Sequence, residues 1–184
     1  MRRKLTTEDI SYAALGIALM TVCSWLSIPL TVPFTLQTFA VCLVSALLGT
    51  HLGLLSVGCY ILLGLLGAPV FSGFRGGFAV LLGATGGYII GFIFTALIVG
   101  LTAERFGRKL PVLLISMAAG ILVCYAFGTV WFMTVYAKSS GSVGLITALG
   151  WCVFPYLLPD AAKITLAAFL TLRLYPILQK RRLS

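Results

Sequence analysis

Residues 38–68, TFAVCLVSALLGTHLGLLSVGCYILLGLLGA, decide the fold, because this run is compatible with one overlong helix or with two short ones. It is apolar throughout but is interrupted by Gly49, Thr50, His51 and Gly53. A turn at the interruption would send the chain back the way it came. A continuous helix would carry it onward, so every later loop would change sides.

The composition of the chain is that of a membrane protein. Of its 184 residues, 60% are hydrophobic and 9% are charged, and the mean hydropathy is +1.11. These values lie far outside the range of soluble domains. At about 20 residues per spanning helix, the chain accommodates at most about seven or eight helices. No segment is left for a soluble nucleotide-hydrolysing domain, so work driven by ATP would require another subunit.

The distribution of basic residues decides between the two interpretations of residues 38–68. With a turn at residues 49–53, one side of the membrane receives ten basic residues: Arg2, Arg3, Lys4, Arg105, Arg108, Lys109, Arg173, Lys180, Arg181 and Arg182. The other side receives only Arg75 and Lys138, whereas a continuous helix would divide the same twelve residues five to seven. Basic residues concentrate in cytoplasmic loops. We therefore predict an all-α membrane protein with both termini in the cytoplasm. It forms one domain, residues 1–184, with six transmembrane helices at about 10–28, 37–49, 52–68, 83–102, 111–137 and 155–175.

An acid and a base inside residues 155–165, PYLLPDAAKIT, are the strongest indication of function. Asp160 and Lys163 stand in sequence that is otherwise apolar enough to lie in lipid. There each charge costs at least ~2.5–3.5 kcal/mol and usually faces a bundle interior or a wet cavity. Residues three apart share one face of a helix. Two interpretations are open: a structural ion pair that neutralises itself, or a ligand site that offers one acceptor and one donor. Only the ligand site requires a cavity.

The position of this pair along its helix predicts where the site opens. The apolar run 145–178 is too long for one straight helix, at ~50 Å for 1.5 Å per residue. Pro155 and Pro159 are therefore expected to break or kink it. A helix at 155–175 places Asp160 about 8 Å from its outer end. The candidate site is expected in the outer half of the membrane, opening outward.

Two outer loops would lie over this site. Residues 28–37, IPLTVPFTLQ, contain two prolines that exclude a helix, and Phe34 among them favours an ordered lid over a passive connector. Arg75 is an isolated cation beside three phenylalanines in the glycine-rich stretch 67–92. It either receives an anionic ligand group or is a solvated loop charge.

Other residue types that often carry chemistry do not form a site in this pattern. The five cysteines lack metal or redox spacing, and His51 is the only histidine, so we expect free thiols, a solvated imidazole, and no metal or cofactor. The glycine string lacks the Gly-Lys-Ser/Thr ending of a phosphate-binding loop, and no serine stands in a Gly-x-Ser-x-Gly setting of an enzyme. The net charge of +9 reflects cytoplasmic loops rather than nucleic-acid binding.

Three segments in order resemble the BioY family: TVPFTLQTFAV at 31–41, PVFSGFRGGFAVLLGATGGYIIGF at 69–92 and LLPDAAK at 157–163. This family comprises the biotin-binding S components of energy-coupling factor vitamin transporters. The resemblance covers nearly the whole chain, and the three segments together are more specific than any one alone. The sequence departs from the family at Ala84, where Pro is usual, and at Ala161 and Ala162, where a small residue followed by a bulkier one is more common.

The resemblance implies a multi-pass protein of a bacterial plasma membrane that binds biotin near its outer face. It also implies a membrane coupling subunit and two cytoplasmic ATPase subunits as partners. Ala14 and Ala18, whose small-xxx-small spacing suits close helix contact, would touch the coupling subunit. The ureido N–H groups of biotin would donate to Asp160, and Lys163 would donate to its carbonyl or pair with its carboxylate. Further candidate contacts are Phe34, Gln37, Arg75 and Tyr88.

A second class of function competes with the importer subunit. A solitary ion-coupled carrier would use Asp160 as its proton or cation site. Such carriers commonly contain internal repeats with broken helices in matching positions. The sequence shows no comparable repeat, and the chain is small, so we favour the importer subunit.

Overall fold

The computed structural model describes residues 5–30 and 32–183, without the side chains of residues 139, 140 and 181–183. Of the predicted cytoplasmic charges, Arg2, Arg3 and Lys4 and the side chains of Arg181 and Arg182 lie outside the described residues. The elements are α1 (Thr7–Trp25), β1 (Ser27–Ile28), β2 (Phe34–Thr35), α2 (Gln37–Leu65), α3 (Phe78–Leu82), α4 (Gly86–Phe106), α5 (Leu110–Ser140), α6 (Leu145–Cys152) and α7 (Phe154–Leu183).

The fold is that of a helical membrane protein. Among the described residues, four helices are long and apolar enough to cross a membrane: Gln37–Leu65, Gly86–Phe106, Leu110–Lys138 and Phe154–Lys180. The 19-residue α1 is not one of them, and its first turn carries Glu8 and Asp9. The predicted all-α class is therefore correct at this level, although the first loop adds a short antiparallel hairpin of β1 and β2.

The start of α1 follows from local sequence. The Asp9 N–H donates to Thr6 Oγ1, and the Thr6 N–H donates to Asp9 Oδ2, both at 3.2 Å. This reciprocal capping box satisfies donors that a helix start otherwise leaves without partners. Further along α1, a Cβ added at Gly16 would lie 2.9 Å from Val44 Cγ1 and 3.3 Å from Ser56 Oγ. The glycine therefore allows α1 to pack closely against α2.

The helix α2 is interrupted at Gly49, which has φ 82° and ψ −173°. A Cβ added at Gly53 would lie 3.0 Å from the Cα of Ser45. In a straight helix these two residues would be about 12 Å apart at 1.5 Å per residue, so the chain doubles back at Gly49. Residues 38–68 thus contain the turn that the distribution of basic residues favours, with one arm on each side of it.

Two charged side chains hold this turn. Glu104 of α4 accepts hydrogen bonds from the Thr50 N–H at 3.0 Å and from Thr50 Oγ1 at 2.6 Å, and so caps the second arm. Arg108 donates from Nε to the Ala46 carbonyl at 2.8 Å and so caps the first. Its guanidinium lies 3.8 Å from the centre of the Tyr175 ring of α7. The turn is thereby fastened to both α4 and α7.

The C-terminal apolar run is divided, but not quite where the prolines predict. The break falls at Val153, between α6 and α7, and Pro155 lies in the first turn of α7. A proline is tolerated there because the first turn has no intrahelical partners for its N–H groups. Pro159 does not break the helix, and Pro176 also lies inside α7. The run is therefore broken close to Pro155, but the helix does not end at Pro159.

The core lies where α4 packs against both α2 and α5, while α7 covers α2 and α5, and α1 covers α2. The largest fully buried side chains are Met20, Tyr60, Phe71, Leu113, Met117 and Phe132. α4 begins at Gly86 rather than at residue 83, because residues 83–85 form the turn after α3. This turn and the β1–β2 hairpin lie near the same part of the core, beside the candidate site.

Candidate functional site

The acid and the base of α7 form a buried ion pair. Asp160 and Lys163 are 4% and 7% exposed, and the Lys163 Nζ lies 2.7 Å from Asp160 Oδ1. The two side chains therefore contact each other, which is compatible both with a structural ion pair and with a ligand site. The groups around Asp160 and Lys163 distinguish a structural ion pair from a ligand site.

The three N–H donors of the Lys163 ammonium all have partners within the protein. Lys163 Nζ donates to the Thr35 carbonyl at 2.6 Å and lies 3.4 Å from Thr38 Oγ1, in addition to its contact with Asp160. It also lies 4.0 Å from the centre of the Phe34 ring, at cation–π distance. Lys163 therefore ties α7 to β2 and to the start of α2.

The carboxylate retains acceptor capacity. Asp160 Oδ1 accepts from Lys163 and, at 3.0 Å, from Thr38 Oγ1, while Oδ2 accepts from the hydroxyl of Tyr125 on α5. A carboxylate offers about four acceptor positions. Within the described residues three are occupied, which leaves about one, on Oδ2, for a further donor.

A cavity adjoins the pair, so the pair is not sealed in solid packing. The cavity has a volume of about 70 Å³ and lies within a space of about 700 Å³ that includes the part open to solvent. That cavity volume is well above the roughly 10–15 Å³ that a single water requires. Its walls come from the first hairpin, from the loop before α3, and from the helices α2, α3, α4, α5, α6 and α7. The pair therefore has beside it the cavity that a ligand site requires.

Most of the predicted site residues meet at this cavity. Five of the six line it: Gln37, Arg75, Tyr88, Asp160 and Lys163. Phe34 is not in the lining. Instead it lies behind the ammonium of Lys163 and stacks on Tyr156, with ring centres 6.2 Å apart. The structure thus brings the predicted residues together, with Phe34 as a support.

Two of these residues are oriented by buried hydrogen bonds. Gln37 Nε2 donates to Tyr60 OH at 2.5 Å, and Tyr60 OH donates to the Val70 carbonyl at 2.9 Å. The Tyr88 and Thr129 hydroxyls are 3.1 Å apart. Gln37 and Tyr88 therefore present fixed polar edges to the cavity rather than mobile ones.

Arg75 differs from the others because it is exposed. Its Nε donates to the Ser72 carbonyl at 3.2 Å, and the backbones of Phe71 and Arg75 form an isolated bridge. Within the described residues the bond to Ser72 is the one hydrogen bond of the Arg75 guanidinium. Arg75 therefore keeps most of its five donors for solvent or a ligand.

The residues that the sequence did not reveal are Thr38, Tyr125 and Tyr156. Tyr125 and Thr38 hold Asp160, and the hydroxyl of Tyr156 donates to the Val32 carbonyl of the first loop. A tyrosine or threonine within an apolar helix is not anomalous, whereas a carboxylate is. A buried tyrosine requires a partner for its hydroxyl, but this rule does not indicate which of the seven tyrosines meets Asp160.

The predicted partner surface on α1 is exposed. Ala14 and Ala18 both face outward, whereas Gly16 between them is buried against α2.

The described residues contain no group of three or more His, Cys, Asp or Glu side chains that could hold a metal ion. The five cysteines are free, and Cys124 and Cys152 line the cavity.

Together these features define the class: a helical membrane protein with a partly enclosed, polar-lined cavity beside a buried acid–base pair. The chain belongs to the BioY family, whose family model matches residues 1–180. The resemblance of the three motifs is thereby confirmed. Its relatives are transporters, and the chain is not an enzyme.

Known proteins resemble the chain over nearly its whole length. The biotin transporter BioY of Thermotoga maritima is 42% identical over 166 residues, which covers 88% of this chain and 92% of that protein. A probable biotin transporter BioY of Pyrococcus horikoshii is 39% identical over 171 residues, covering 92% and 98%. The crystal structure of the S component for biotin from an ECF-type ABC transporter matches with a TM-score of 0.81 at 27% identity, covering 93% and 94%.

Proposed function

We propose that this chain is the substrate-binding subunit of an ATP-driven importer of the energy-coupling factor type, and that it captures biotin from the outer side. The observation that carries the proposal is the cavity beside Asp160, whose carboxylate is held by three donors and retains room for about one more. The relatives named as biotin transporters and the solved biotin S component support the same ligand.

The chemistry of biotin suits the groups at the cavity. Its ureido ring has two N–H donors and a carbonyl, its second ring is apolar, and its tail ends in a carboxylate. A ureido N–H would donate to Asp160 Oδ2, and Lys163 would exchange one of its bonds for the ureido carbonyl. Arg75, exposed at the cavity, would receive the tail carboxylate. A polar group left unpaired on burial costs about 1–3 kcal/mol, so analogues without the ureido pattern would bind poorly.

Entry of the ligand requires a wall to move, because the inner volume of about 70 Å³ is small. We infer that the wall is the first loop with its β1–β2 hairpin, which contributes Val32 and Pro33 to the cavity. It is held by the Lys163–Thr35 bond and by the Tyr156–Val32 bond. Ligand binding at Lys163 would act directly on the first of these contacts, as expected of a lid.

We infer a topology of six membrane-crossing helices with both termini in the cytoplasm, in a multi-pass plasma-membrane protein. The reversal at Gly49 and the ten-to-two division of basic residues support it. Alkaline phosphatase fused after the last residue should be inactive, because it requires export, and a fluorescent protein fused there should fold. The opposite pair of results would contradict this orientation.

The partners of the proposal are a membrane coupling subunit and two cytoplasmic ATPase subunits. We infer that Ala14 and Ala18 contact the coupling subunit, because they are small, exposed and four residues apart on α1. No nucleic acid is expected. The lipid bilayer is the remaining partner.

Calorimetric titration of the purified chain tests the proposal. Biotin should bind without ATP or added ions, and a vitamin without a ureido ring, such as thiamine, should not. Proteoliposomes containing the chain alone should not accumulate biotin, whereas adding the coupling subunit and ATPases should start uptake. Leucine at both Ala14 and Ala18 should stop uptake while leaving binding intact. Absence of biotin binding by a monodisperse, folded sample would refute the proposed function.

A further inference from the structure

A second, larger cleft lies directly against the candidate site. It has a volume of about 560 Å³, eight times that of the inner cavity. Its lining comes from the first loop and from the segment around α3, and includes Leu30, Pro33, Arg75, Ala79, Ala84 and Thr85. Most of these side chains are small or apolar.

The two cavities share part of their walls. Pro33, Arg75, Val80 and Thr85 line both. The inner cavity contains the acid–base pair, whereas the outer cleft contains neither Asp160 nor Lys163. A ligand whose polar ring lies beside the pair would therefore direct its other end past Arg75 into the outer cleft.

One wall of the outer cleft is held in place by a hydrogen bond. Trp131 Nε1 of α5 donates to the Gly83 carbonyl at 3.0 Å, which holds the turn between α3 and α4 in place. On this turn Ala84 lines the cleft but not the inner cavity, as does Ala79 on α3. Short side chains at both positions leave the volume unfilled.

We propose that the outer cleft receives groups attached to the acid end of the ligand, so that the protein binds amide conjugates of biotin as well as the free acid. This inference rests on the proposed function. Arg75 is the reason that conjugates are tolerated: its guanidinium donates to a carboxylate or to an amide carbonyl. The amide oxygen carries no full charge, so the bond is weaker but is still made.

Titration of the purified full chain with biotin and with Nε-biotinyl-lysine tests this assignment. The conjugate is expected to bind about tenfold more weakly than biotin, the difference between a charge-assisted and a neutral hydrogen bond. Ala84→Leu should lower affinity for the conjugate by at least about a further tenfold through lost space, and should change affinity for biotin less than about twofold. Ala126→Leu, at an exposed position of α5 that lines neither cavity, is the matched control and should change neither.

The outcomes separate this inference from the proposed function. If neither compound binds the wild-type chain, the proposed function fails. If biotin binds and the conjugate does not, or if Ala84→Leu weakens both equally or neither, the assignment of the cleft is wrong while biotin binding stands. Ala79→Leu fills the same cleft from α3 and gives the second measurement should Ala84→Leu not fold.

Discussion

Asp160→Asn should lower the affinity for biotin by about a hundredfold or more, measured by calorimetric titration of the purified variant. The amide has one acceptor oxygen, which Lys163 and Thr38 already occupy in the wild-type geometry. Its NH₂ group would stand where Oδ2 accepts from Tyr125, so a donor would face a ureido donor. Losing one charge-assisted bond costs about 1.5–3 kcal/mol, and opposing two donors adds the cost of burying them unpaired.

The measurement requires a variant that still folds, because Asp160→Asn leaves Lys163 buried without its counter-ion. Breaking a buried pair on one side costs about 3–5 kcal/mol, whereas replacing both partners by apolar residues is often neutral. Asp160→Leu with Lys163→Met should therefore recover the melting temperature but not the binding. Asp9→Asn makes the same chemical change at a buried aspartate of α1 and should leave biotin affinity unchanged. A folded Asp160→Asn variant with wild-type affinity would show that the site lies elsewhere.

The sequence predicts correctly a feature that is energetically costly in its local environment. A carboxylate and an ammonium in an apolar helix require an interior partner, and Asp160 and Lys163 indeed form a buried pair beside a cavity. The interruption at residues 49–53 left a turn or a continuous helix open, the division of basic residues favoured the turn, and the chain reverses at Gly49. The first prediction needs only a local energetic argument, whereas the second needs the charges of the whole chain.

The features that the sequence does not predict depend on residues far apart in the chain. Tyr125 is 35 residues from Asp160, and nothing local marks which tyrosine meets which acid. The division of basic residues places Arg108 on the cytoplasmic side, but its role as a cap of the α2 turn, like that of Glu104, emerges only when α4 lies beside this turn. Strands of two residues, such as β1 and β2, are too short to show a period.

Gly49→Ala should destabilise the protein strongly, because this residue makes the reversal of α2. Its φ of 82° with ψ of −173° belongs to a region that is essentially reserved for glycine, and strain there costs about 1–3 kcal/mol. An added Cβ would also lie 2.1 Å from Glu104 Oε1, so Glu104 would have to leave the Thr50 N–H that it caps, at a further cost of about 1 kcal/mol. Together these effects should lower the unfolding temperature in detergent by roughly 5–15 °C.

Two further variants show which part of this cost is steric. Glu104→Ala removes the cap without strain, and in the double variant Gly49→Ala with Glu104→Ala the clash is gone but the unfavourable φ remains. The double variant should therefore be less stable than Glu104→Ala alone, by about the 1–3 kcal/mol of backbone strain. Gly58→Ala, with nothing within 4 Å of the added Cβ, is the matched control and should leave the unfolding temperature unchanged or raise it. Equal unfolding temperatures for Gly49→Ala and Gly58→Ala would mean that the chain does not reverse at residue 49, and the six-helix topology would lose its main structural support.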